Sequence, residues 1–331
     1  MCATYPSWQG IARSDQLLAR QIVIAVWFVA LATSVVAATN PGPRDSAIEI
    51  VDQIRRADYD GDRAALKRLG EELDAGARDQ RTVARLRYWR GFALWRRSIN
   101  GFNDSVDQTE LEQDLVTAAG EFRIAIAADP DFVDAKIALV SCLLNEVFIN
   151  QADRTRVKDL LSEALPFLKE AEEADPDNPR LAWVVGSSEF YRPANQGGGQ
   201  VKAIETYKRG LEAFSKRDES SGDPLEPSWG KPELLMNLAW SNLHATTPDL
   251  KSAKAYAEAA LDLVPYWHYV RDILLPQIRG EKAVSSIISA VWTVCSAATP
   301  PSRTYSASAN CAATDRHFHC AEIMALTIFT S

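Results

Sequence analysis

Between residues 44 and 279 apolar side chains recur at three- and four-residue spacing, with polar residues between them and breaks at Asp-Gly, Asp-Pro and Gly-Gly. That period belongs to the α-helix, and the two-residue alternation of a strand is missing from the stretch. The pattern predicts helices over 44–57, 62–76, 80–99, 109–128, 132–149, 154–174, 179–191, 200–215, 231–244 and 250–263, and a closing helix over 266–279. The fold class is therefore all-α. Loops of unequal length interrupt it at 99–110, 150–155, 191–200 and 216–231.

One motif returns along these helices. Ala118, Phe122, Ala125 and Pro130 share their spacing with Ala164, Leu168, Ala171 and Pro176, and with Ala253, Ala257, Ala260 and Pro265. Ala203, Tyr207 and Gly210 form a fourth set in which Ser215 replaces the proline. Small residues let two helices approach, a large one fills the groove between them, and a proline cannot supply the next helical hydrogen bond. The set resembles the second helix of the tetratricopeptide repeat. First-helix residues are less regular: Tyr88, Gly91 and Phe92; Leu139 and Val140; Trp183 and Gly186; Leu235, Leu238 and Ala239. The stripes start at 118, 164, 203 and 253, farther apart than the roughly 34 residues usual for this repeat, and inserted loops take up the difference. The resemblance covers 44–280 and implies a right-handed α-solenoid of four to five helix pairs. Gly197-Gly198-Gly199 before Lys202-Ala203, and Pro227-Ser228-Trp229-Gly230 before Glu233, also resemble features of exported bacterial tetratricopeptide proteins, the T-component associated with TRAP transporters among them.

Ahead of the helices, residues 22–38 read IVIAVWFVALATSVVAA, with Arg13 and Arg20 before them and small residues at Val36, Ala37 and Ala38. This is the layout of a secretory signal cut after Ala38. An uncut anchor is the alternative, since the run is just within the roughly 17–25 residues that a bilayer needs. The expected location is periplasmic or secreted, with membrane contact only if the segment stays attached. After residue 280 Ser, Thr and Ala dominate and the stripe ends, which predicts a tail at 281–331 outside the core.

The 331 residues carry a formal net charge of −8, which offers no basic field to a phosphate backbone and argues against nucleic acid as a partner. Four of the five cysteines, Cys142, Cys295, Cys311 and Cys320, follow the apolar run, too few for a disulfide-built scaffold. Cys142 reads as a small buried hydrophobe. Cys311, His317, His319 and Cys320 have zinc-binding atoms, but adjacent His319 and Cys320 spoil the spacing, so neither metal nor cofactor is expected. A pairing among the tail cysteines stays open. The glycine triplet is followed by Gln200 and Val201 rather than Lys-Ser/Thr, unlike a phosphate-binding loop. His244 and His268 stand in no recognisable nucleophile motif, so catalysis is not expected.

Aromatic residues concentrate on the first helices of the pairs. By the resemblance, a concave groove would be lined by Arg85, Tyr88, Phe92 and Trp95, by Asn145, by Arg180, Trp183, Ser187, Phe190 and Tyr191, and by Met236 and Trp240. Such a groove suits a protein or peptide with apolar anchors and a carboxylate. A small-molecule-binding accessory protein of a periplasmic transporter is the alternative. For each aromatic taken singly, burial in the core is the competing reading.

Overall fold

Three alanine stripes end their helices in one way. Asp129, Asp175 and Val264 each precede a proline, whose ring disfavours the α conformation in the residue before it. These residues take φ −142° and ψ 91°, φ −149° and ψ 76°, and φ −135° and ψ 80°, and each donates its N–H back to the last alanine of its stripe, Ala125, Ala171 and Ala260. Where Ser215 replaces the proline, this stop is missing and the helix runs on to Lys216.

The computed structural model describes residues 42–73, 79–104, 106–217 and 222–281, and no strand occurs among them. The helices are α1 (Pro43–Asp60), α2 (Arg63–Glu72), α3 (Gln80–Asn103), α4 (Gln108–Ala128), α5 (Val133–Ile149), α6 (Arg154–Ala174), α7 (Pro179–Tyr191), α8 (Gln200–Lys216), α9 (Lys231–His244), α10 (Leu250–Leu263) and α11 (Leu275–Ile278). Most begin at an Asx cap. Asp62, Asp79, Asp107, Asp153, Asn178 and Asp249 each accept first-turn N–H groups through the side chain, an arrangement that contributes about 1 kcal/mol per cap. The proposed signal segment at 22–38 and the tail, with Cys295, Cys311, His317, His319 and Cys320, lie outside the described residues.

Within the unit that begins at Ser46, α3 packs on α4, α5 on α6, α7 on α8 and α9 on α10. Next, α4 packs on α5 and α8 on α9, while α3, α5, α7 and α9 also touch in series. Two glycines set how closely paired helices approach. A Cβ on Gly91 would stand 2.9 Å from the Phe122 ring, and one on Gly186 would stand 2.4 Å from the Tyr207 ring. These are the small residue of a first helix and the large residue of the following stripe.

The start of the unit departs from the helix pairing read from sequence. The stretch 44–57/62–76 is not a packed pair, because α2 leans on α3 while the end of α1 is held by α3 and α9. The closing helix expected over 266–279 is present as a continuous helical stretch over 268–278, in which a wide π-type turn at Tyr269–Leu274 runs directly into the short α11. Pro276 accounts for the widened turn, since it cannot donate to the turn before it. One continuous apolar cluster runs from Ala47 to Ile278, and all the alanines of the four stripes are buried in it.

Candidate binding face

Residues 222–230, between α8 and α9, are not helical, and they cross α3 and α7. Asp223 opens this strap with a turn, its Oδ1 accepting from Leu225 N–H at 3.0 Å and its carbonyl from Glu226 N–H at 2.8 Å. Gly230 closes it at φ 120°, a conformation L side chains rarely adopt. The Gly230 N–H donates to Glu233 Oε2 at 2.8 Å, which fixes the start of α9.

Side chains of the helices hold the strap by main chain and side chain alike. Trp89 Nε1 donates to the Leu225 carbonyl at 2.8 Å, and Arg180 Nη2 donates to the Pro227 carbonyl at 2.6 Å. Glu226 accepts from Arg81 at 2.8 Å and from Arg85 at 3.0 Å. Arg85 also pairs with Asp129 and lies 3.9 Å over the Phe132 ring. Trp229 is the anchor: its ring meets Phe92, Trp95 and Trp183 at centroid distances of 5.8, 5.3 and 5.7 Å, and its Nε1 donates to the Tyr88 hydroxyl at 2.6 Å. Burial raises the Tyr88 phenol above its ordinary value, so it stays neutral and serves as that acceptor.

The structure thus brings together Arg85, Tyr88, Phe92, Trp95, Arg180 and Trp183, and closes the space they were expected to leave open. Tyr88, Phe92 and Trp95 are 0% exposed and Trp183 is 7% exposed. The physical reason is the strap, whose Trp229 ring fills the space between Phe92, Trp95 and Trp183. Trp229 and Glu226 carried no assigned role in the sequence reading; an aromatic between Pro227 and Gly230 in a loop was the available signal.

The other expected residues lie elsewhere on the same series of helices. Phe190 and Trp240 touch at 5.1 Å, Tyr191 lies 6.3 Å from Trp240, and His244 stacks on Trp240 at 4.2 Å. Phe190 and Trp240 are buried, whereas Tyr191, Met236 and His244 are half-buried and reach the surface. Ser187 is an internal connector, donating to the Trp183 carbonyl and sharing bonds with Tyr207 and Asn237. Asn145 is buried and donates to the Ser141 carbonyl. The indole N–H groups of Trp95 and Trp183 are buried with no nitrogen or oxygen acceptor among the described residues.

A buried charge cluster joins α1, α3 and α9. Arg96 donates to Asp58 at 2.8 Å and lies 3.8 Å from Glu233, which accepts from Tyr59 at 2.9 Å. Asn100 donates to Asp58 at 3.1 Å. Burial alone would lower the Arg96 guanidinium, but Asp58 and Glu233 more than offset it and hold the group charged. Burial raises the Glu233 carboxyl, against the pull of Arg96 and with the push of Asp58. One cation between two acids in a dry site holds only if the surrounding donors compensate, and Tyr59, Asn100 and the Gly230 N–H do so.

Beside the strap opens a cavity of about 520 Å³, lined in part by Asp52, Arg55, Asp134, Arg180 and Arg217. Two further clefts lie between helices, about 680 Å³ against α2, α3 and α4 and about 300 Å³ against α6, α7 and α8. Among the described residues no group of three or more His, Cys, Asp or Glu is placed to hold a metal ion, and no helix is long and apolar enough to cross a membrane. No family model matches the chain, and neither a curated protein nor a solved structure matches it.

Proposed function

We propose that this chain is an exported tetratricopeptide-type binding protein, a right-handed α-solenoid that holds a protein or peptide partner on its inner face. Support for the repeat comes from the three equivalent proline stops, from the Gly91–Phe122 and Gly186–Tyr207 contacts, and from the serial packing of neighbouring helices. The observation that carries the binding role is how α3 and α7 hold the strap. Two main-chain carbonyls, one carboxylate and one aromatic ring are recognised by side chains of the helices, which is the set of contacts a peptide makes in a receptor. Tyr191 of α7 and Met236 and His244 of α9 are half-buried and provide accessible surface on the same series of helices. Export rests on the 22–38 run and its small-residue exit.

Affinity capture from an envelope fraction with the full chain tests this. Recovery of a discrete protein or peptide that is lost with Tyr191→Ala and Met236→Ala supports the reading. Recovery of a small metabolite alone would favour the second reading, a transporter accessory protein, for which the unpartnered indole N–H groups of Trp95 and Trp183 speak. Recovery of the same partner by both variants would contradict the placement of the site.

A further inference from the structure

The strap's contacts are those that another chain could make in its place. Trp89 and Arg180 bind carbonyl oxygens, groups present in every peptide, and so impose no sequence. Selectivity enters at two points only: a carboxylate for Arg81 and Arg85, and an aromatic ring for the space between Phe92, Trp95 and Trp183. The strap is also open on one side. Pro224 is exposed, Glu226 and Ser228 are half-buried, and all three border the cavity of about 520 Å³, which is room to move into. Gly222 and Gly230, at the two ends of the strap, are natural pivots.

We infer that residues 223–230 are a built-in stand-in for a partner peptide: the inner face recognises an acidic segment with a tryptophan or similar ring a few residues on, and the strap withdraws to admit it. This rests on the binding role proposed above and names the class of partner. The strap lowers the apparent affinity for such a peptide by the fraction of molecules in which it is seated. Exchange of one occupant for the other leaves the charge balance of Arg81 and Arg85 unchanged, because each brings one carboxylate. A basic or purely aliphatic segment satisfies neither selective point.

A fluorescein-labelled peptide with the sequence of residues 223–230 tests the inference by anisotropy against the full chain. Glu226→Gln removes the carboxylate that Arg81 and Arg85 hold, so the strap with its Trp229 withdraws more readily, and the variant should bind the peptide about tenfold more tightly than the unaltered chain. The same peptide with its Glu changed to Gln or its Trp changed to Ala should bind about tenfold less tightly than the parent. Hydrogen exchange on the unaltered chain is the second measurement: amides of Leu225 and Trp229 should exchange through an opening smaller than global unfolding, faster than the slowest amides of α3. Equal or absent peptide binding by a folded Glu226→Gln chain overturns the inference, as does exchange of the strap only on global unfolding. If either result comes with a partner still captured through Tyr191 and Met236, the strap is core and the binding role stands. If capture fails too, both fall.

Discussion

Replacing one glycine by alanine at two sites should shift stability in opposite directions. At Gly186 the added Cβ would lie 2.4, 2.8 and 2.9 Å from Cε1, Cδ1 and Cζ of Tyr207. Tyr207 is 1% exposed and its hydroxyl is engaged with Ser187 at 3.2 Å, so the ring cannot swing aside. Overpacking of this kind costs about 1–3 kcal/mol, and the better helix propensity of alanine returns about 1 kcal/mol. Gly186→Ala should therefore lose about 0–2 kcal/mol, with the upper half expected because a buried ring meets the new atom. Gly120, inside α4, has nothing within 4 Å of its would-be Cβ. Gly120→Ala keeps the propensity gain alone and should stabilise by about 0.5–1 kcal/mol. Urea unfolding followed by far-ultraviolet circular dichroism gives both values with one probe. If Gly186→Ala stabilises as much as Gly120→Ala, α7 and α8 do not approach as described and the helix-pair account fails.

Trp229→Ala and Trp183→Ala should each cost about 3–5 kcal/mol in the same urea assay; a loss under about 1 kcal/mol would show that the strap is not packed against α3 and α7. Stability should also carry a pH signature from Glu233, whose carboxyl burial raises above its ordinary 4.5. A carboxyl raised in the folded state contributes stability that is fully present below its unfolded value and is lost as pH rises through its folded one. The fall in urea midpoint from pH 4.5 to neutral should thus be smaller in Glu233→Gln than in the unaltered chain, and an equal or larger fall would place the buried charge elsewhere. For export, mass measurement of the protein from an envelope fraction should give a start at or near Thr39; an intact N-terminus in the cytosol would remove that claim.

Helix content and helix ends were legible because their causes are local. An Asp-Pro or Val-Pro step stops a helix whatever lies across from it, and Asp62, Asp79 and Asp153 cap the next one within their own first turn. The π-type turn before Pro276 was equally local and could have been read from that proline. What decided the state of the binding face was not local. Trp229 reaches Tyr88 across 141 residues and Tyr59 reaches Glu233 across 174, and no spacing rule connects such positions. Spacing grouped Tyr88, Phe92 and Trp95 on one side and the resemblance added Trp183, but exposure depends on what covers that side. Arg85 and Arg180 were legible as carboxylate and peptide ligands by chemistry; that Glu226 and Pro227 of the same chain would be the groups they hold was not.

Site-specific photo-crosslinking tests the binding face most directly. A benzophenone side chain placed at Tyr191 or at Met236 replaces a half-buried residue of the proposed inner face, and one at Val201, 73% exposed on α8, serves as the control away from it. Irradiation in intact cells, followed by mass spectrometry of the adducts, is predicted to give one discrete protein or peptide adduct from positions 191 and 236 and none from 201. Adducts from 201 alone, or the same mixture from all three positions, would contradict the claim that the inner face is where this protein binds its partner.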